Sequence, residues 1–154
     1  MSELEVRIVS MEPMRVASAH GFGRGPEEEA SRKMLAFLAA RGLEFGQIRW
    51  FGFNNPDPSP GSPNYGYEIW VTVGPEVQGE GEVTIKEVPA RRYAVTRFKG
   101  LENIGRVWRQ LVAWSERSAY KKPPHCHQCL ENLLTPPGTP YSEYVFDLYL
   151  PIAE

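Results

Sequence analysis

The sequence predicts an α+β fold built from a duplicated βαββ-type unit, giving an antiparallel sheet with two helices on one face and a pseudo-twofold between the copies. Three observations predict it. The chain matches itself without a gap at an offset of 77 residues, half of its 154. Glu5-Val6-x-Ile8 recurs as Glu82-Val83-x-Ile85, Arg15 and Ala17 as Arg92 and Ala94, Pro60-Gly61-x-Pro63 as Pro137-Gly138-x-Pro140, and Tyr67-x-Ile69-x-Val71 as Tyr144-x-Phe146-x-Leu148. Each half also holds one apolar stripe at helical spacing, and most of the remainder alternates with the period of two that strands require. A fixed period of this length marks two copies of one supersecondary unit. The reading is therefore a single domain over 1–154, made of repeats at about 1–77 and 78–154.

The elements follow in order. Strands are expected at about Glu5–Ser10 and Met14–His20, with Pro13 marking the turn between them. Gly25-Pro26-Glu27-Glu28-Glu29 is a helix start, with proline in the first turn and acids beside the exposed backbone N–H groups. Ala30, Met34, Phe37 and Leu38 continue it as one stripe, and Gly42 ends it. A strand at Gln47–Phe53, a loop stiffened by Pro56, Pro58, Pro60 and Pro63, and a strand at Tyr67–Val73 complete the first half. The second half repeats the plan, with strands at Val83–Val88 and Arg92–Lys99 and a helix at about Glu102–Ser118 carrying Ile104, Val107, Trp108, Leu111 and Trp114. The segment at His125–Leu130 fits either a strand or a short helix, because Leu130, Leu133 and Leu134 also suit helical spacing. Tyr144–Leu150 closes the chain as a strand. Gly21-x-Gly23-x-Gly25 lacks the dinucleotide-binding spacing and reads as a flexible lead-in to the first helix.

Composition excludes several classes. A net charge of −2 with no run of Lys or Arg argues against a nucleic-acid partner. No apolar stretch reaches the length of a membrane span, and the N-terminus lacks the order of a signal peptide. A reduced, cytoplasmic setting is expected, with the protein a monomer or homodimer. No nucleophile motif, phosphate loop or cofactor fingerprint is present.

A seam between two copies is a natural place for a cleft. Alternation puts Ile69, Val71, Val73, Phe146, Leu148 and Leu150 under the helices. The other face, where the cleft is expected, then carries Glu68, Trp70 and Thr72 from one half and Val145, Asp147 and Tyr149 from the other. Aromatic rings with a few carboxylates suit an apolar small molecule, including a cationic one. Each residue also has a plainer reading: Glu68 as an exposed sheet-face acid, Asp147 as the cross-strand partner of an arginine such as Arg97, and Trp108 and Trp114 as helix core.

These residues also carry a resemblance. Phe51-Gly52-Phe53-Asn54-Asn55-Pro56, Tyr65-Gly66-Tyr67-Glu68-Ile69-Trp70-Val71, Pro89-Ala90-Arg91-Arg92-Tyr93-Ala94-Val95 and Phe146-Asp147-Leu148-Tyr149-Leu150-Pro151 resemble the GyrI-like small-molecule-binding domain. That module is also the effector-binding part of AraC- and MerR-type multidrug regulators, and the resemblance spans nearly the whole chain. It implies the duplicated fold and a pocket for drug-like molecules. Because the chain starts at the module's first strand, a stand-alone binder is expected.

The resemblance further implies an acid pointing into the pocket near Glu131, which the internal repeat sets opposite Asn54. Glu131 would pair with a cationic ligand or act as a general base on water. Trp70, Tyr93, Trp108 and Tyr149 would form aromatic walls, with Glu68 and Asp147 as further acids. Some stand-alone GyrI-like proteins hydrolyse cyclopropane-containing electrophiles, a chemistry without metal or cofactor, and this is the alternative function. A related fold that binds haem suggests a weaker third reading, with His127 or His20 as axial ligand. The His125-Cys126-His127-Gln128-Cys129 cluster has metal-ligating residue types, but a structural zinc site usually draws a second pair from elsewhere. No metal or cofactor is expected.

Overall fold

The computed structural model describes residues 4–55, 61, 63–123 and 128–153. Along the chain run β1 (Arg7–Met11), β2 (Met14–Gly23), α1 (Pro26–Ala40), β3 (Trp50–Asn54), β4 (Tyr65–Thr72), β5 (Thr84–Val88), β6 (Arg91–Lys99), α2 (Ile104–Arg117), β7 (Leu130–Leu133) and β8 (Val145–Pro151). The fold class is α+β. The chain packs as two compact units, residues 13–89 and residues 1–12 with 90–154.

The unit at 13–89 is an antiparallel sheet in the order β3-β4-β2-β5, with α1 against one face. Pro26 opens α1, three acids occupy its first turn, and Ala30, Met34, Phe37 and Leu38 are buried along its inner stripe. Gly42 then adopts φ 66°, which favours glycine just past a helix end. Gly21 is no flexible lead-in. It lies within β2 opposite Tyr67, and a Cβ there would stand 2.3 Å from the Pro26 carbonyl oxygen. Its missing side chain is what lets the helix start close down on the strand. The register carries Ala19, Ile69 and Val71 onto that same face, where each is buried. Burying an aliphatic side chain of this size contributes about 1.5–3 kcal/mol.

The other unit has the order β1-β6-β8-β7, again antiparallel, with α2 packed against β6 and β8. Gly100 (φ 94°) breaks the strand, and a 3-10 turn at Leu101–Asn103 leads into α2. Val107, Leu111 and Ser115 are buried at intervals of four. Trp114 therefore falls off the buried line. Instead of joining the core it is half-exposed and stacks on Tyr120, with ring planes 5° apart. Of the segment of doubtful type, residues 125–127 lie outside the described residues, and the strand begins only at its end, as β7, where Leu130 and Leu133 are buried.

The packing units and the sequence halves have different boundaries. β1 precedes residue 13 yet pairs with β6. β5 lies beyond residue 77 yet pairs with β2, completing the unit at 13–89. Pro13 sits at one of these crossings and Pro89 at the other. Among the described residues, no helix is long and apolar enough to cross a membrane.

Candidate functional site

Glu131 lies in the middle of β7, opposite Leu148 of β8. Cross-strand partners share a face, so Glu131 stands on the side of the sheet that α2 covers. From α2, Trp108 reaches it, and the indole Nε1–H donates to Glu131 Oε2 at 2.8 Å. Trp108 sits one position past the buried Val107, which turns its ring to the flank of the helix. Both residues are half-buried. The pair combines an acceptor with negative charge and a large aromatic surface, and neither is sealed from solvent.

The remaining expected residues of this unit lie on the opposite face. Tyr93 and Tyr149 form an edge-to-face pair with ring centroids 5.4 Å apart, and both are buried. Asp147 is 3% exposed. Arg97, directly across the ladder, clamps it through Nε to Oδ1 at 2.8 Å and Nη2 to Oδ2 at 3.1 Å. Arg7 from β1 adds Nη2 to Oδ2 at 2.8 Å. Asp147 is thus a cross-strand ion-pair partner. Its hydrogen bonds and charge push the Arg97 guanidinium above its ordinary pKa.

In the unit at 13–89, Glu68 and Trp70 share the face of β4 turned away from α1. Glu68 is no exposed acid. It is 2% exposed, and four side chains donate to it: Ser18 Oγ, Trp70 Nε1 and Lys86 Nζ to Oε2, each at 2.6 Å, and Asn55 Nδ2 to Oε1 at 2.9 Å. Burial pushes its carboxyl up, but the bonds from Lys86, Ser18, Asn55 and Trp70 outweigh this and hold it below the usual carboxylate range. Trp70 is buried too, packed edge-on against Phe53 at 4.8 Å. Sequence reasoning missed Ser18, Asn55 and Lys86. The signal was the register: Ser18 lies opposite both Trp70 and Thr84, and Lys86 is two residues beyond Thr84 on the same face.

Of the seven expected residues, the structure joins them in pairs: Trp108 with Glu131, Tyr93 with Tyr149, and Glu68 with Trp70. Asp147 is joined to arginines. Only Trp108 and Glu131 keep appreciable exposure. An open depression of about 550 Å³ at Arg15, Glu80, Thr84 and Glu87 includes none of the seven. Among the described residues no group of three or more His, Cys, Asp or Glu side chains could hold a metal ion. His125, Cys126, His127, Pro56, Pro58 and Pro60 lie outside the described residues. Cys129 is half-buried, and His20 Nε2 lies 2.6 Å from the Asn55 carbonyl oxygen.

A family model for the GyrI-like small molecule binding domain matches residues 4–153. No curated protein matches the chain. Among solved structures, the EcmrR C-terminal domain is similar at TM-score 0.75 and 14% identity, covering 98% of each chain. A hydrolase from Listeria innocua is similar at TM-score 0.70 and 10% identity, covering 99% of this chain and 94% of that one. SAV2435 bound to tetraphenylphosphonium is similar at TM-score 0.57 and 11% identity, covering 97% and 94%. This chain spans 57% of the EcmrR chain in its DNA complex. At these identities the likenesses show the fold.

Proposed function

The chain belongs to the GyrI-like small-molecule-binding domain family, and on that premise we propose that it binds an aromatic, cationic small molecule through Trp108 and Glu131. The observation that carries this reading is the half-exposed carboxylate held at 2.8 Å by an indole N–H. That hydrogen bond orients the carboxylate, an acceptor of the kind a cation pairs with. The indole face beside it offers apolar surface and a cation–π partner. Glu68 pairs with Lys86, and Asp147 with Arg7 and Arg97. In this reading Glu68, Trp70, Tyr93, Asp147 and Tyr149 set the shape of the sheets, and Glu131 supplies the charge that the ligand meets.

SAV2435 was solved with tetraphenylphosphonium, a cation wrapped in phenyl rings, which makes that compound the natural first probe here. Titration into wild type and Glu131→Gln, read by tryptophan fluorescence, tests the assignment. Binding that is unaffected by the substitution would remove Glu131 from the site.

A second reading is a cofactor-independent hydrolase of cyclopropane-containing electrophiles. Glu131 would take a proton from water as the water oxygen bonds to a ring carbon. The ring C–C bond would break, with its electron pair drawn into the conjugated acceptor and reprotonated there. The half-buried carboxylate and the fold shared with a Listeria innocua hydrolase favour testing it. Water added to such a compound by wild type but not by Glu131→Gln, seen as a gain of one water in product mass, would establish it. Binding without turnover leaves the binder.

A further inference from the structure

On the face opposite Glu131, Arg7 and Arg97 converge on a single buried carboxylate. Both send Nη2 to the same oxygen, Oδ2 of Asp147, at 2.8 and 3.1 Å. Arg97 adds a second bond through Nε to Oδ1 at 2.8 Å. Two guanidinium cations are therefore fixed side by side against one anion that is 3% exposed, while their own side chains are 51% and 57% exposed. The charges do not balance. Arg7 Nε and Nη1 and Arg97 Nη1 have no acceptor among the described residues. The nearby Lys99 adds no further imbalance, since it pairs with Glu143 at 3.6 Å.

The geometry points to an oxyanion-binding site on Arg7 and Arg97, for one carboxylate or phosphate group of a small molecule. Charge and preorganisation both favour such a ligand. Guanidinium N–H groups lie in a planar fork that matches two oxygens of such an anion. Holding flexible arginines in place normally costs side-chain entropy. Here Asp147, opposite Arg97 in the ladder, has already fixed the Arg97 fork and drawn Arg7 from the neighbouring strand. An oxyanion bridging the outward N–H groups relieves the repulsion between the two cations and supplies the missing negative charge. The site is separate from the aromatic cation site proposed above and stands or falls without it.

The test is isothermal titration of the full chain with inorganic phosphate and, separately, acetate, in chloride buffer at constant ionic strength. Wild type is expected to bind one equivalent. Arg7→Gln is expected to bind at least about tenfold more weakly, while circular dichroism stays unchanged because Arg97 still clamps Asp147. Arg97→Lys, which keeps the charge but loses the fork, is expected to weaken binding as well. Tighter binding of phosphate than of acetate assigns the site to phosphate groups, and the reverse assigns it to carboxylates. Equal heats in wild type and Arg7→Gln, or no heat beyond a chloride control, would overturn the site. Thermal stabilisation by phosphate that is the same in both proteins counts against it too, since excluded salts stabilise any fold.

Discussion

Trp108 of α2 donates its indole N–H to Glu131 of β7 across 2.8 Å. At the sequence offset of 77 residues, Trp108 and Glu131 fall against Ser31 and Asn54, neither aromatic nor acidic. A helix and a strand that are otherwise generic thus acquire one charged aromatic pair at the edge of solvent.

Replacing Trp108 by Phe keeps a ring and deletes the donor. Tetraphenylphosphonium is expected to bind about threefold more weakly, less than the loss from Glu131→Gln, because stacking survives and only orientation of the carboxylate is lost. The ligand-dependent change in tryptophan fluorescence is expected to vanish in this variant. A full fluorescence response in Trp108→Phe would assign the contact to another tryptophan.

Glu68 makes stability depend on pH in the acid range. Its carboxyl is held below the ordinary value in the fold, so it releases its proton more readily than in the unfolded chain. The contribution is complete above the unfolded carboxyl's pKa of about 4.3 and is lost as pH falls through the lower folded value. Glu68→Gln is expected to cost about 3 kcal/mol at neutral pH, since Lys86 would lose its buried anion. The gap between wild type and Glu68→Gln in urea midpoints should close as pH drops below about 4. A gap that stays constant to pH 3 would rule out an ionised Glu68 as its source.

Gly21→Ala tests the helix approach. The added methyl would meet the Pro26 carbonyl oxygen at 2.3 Å and the Ala30 nitrogen at 3.1 Å, both backbone atoms that cannot swing aside. A loss of about 2 kcal/mol is expected. Gly25→Ala, with nothing within 4 Å of its Cβ, should stay within about 0.5 kcal/mol. Chemical denaturation of the two variants compares them directly, and equal costs would show that space at Gly21 is not limiting.

Much of the fold was legible because its signals are local. Pro26 with Glu27, Glu28 and Glu29 marks the start of α1, and alternation in Tyr67–Val73 marks a strand. The pairing of β1 with β6 and of β5 with β2 was not legible, because β1 and β5 carry no residue that names a partner; pairing is set by sheet contacts distant in sequence. Asp147 was legible as a cross-strand partner of Arg97, with Arg7 the unforeseen addition. The setting of Glu68 was hidden, because it depends on Lys86, which only the register brings within reach. Trp114 misled because helical spacing tolerates either 114 or 115 on the inner line, and the smaller Ser115 took the place.

Charge discrimination at Glu131 is the decisive measurement. Tetraphenylphosphonium and the uncharged triphenylphosphine oxide would be titrated by calorimetry into wild type and Glu131→Gln. The cation is expected to lose about tenfold in affinity, near 1.4 kcal/mol, while the neutral compound changes less than about twofold. Equal losses for both, or none for either, would contradict a ligand-facing charge at Glu131.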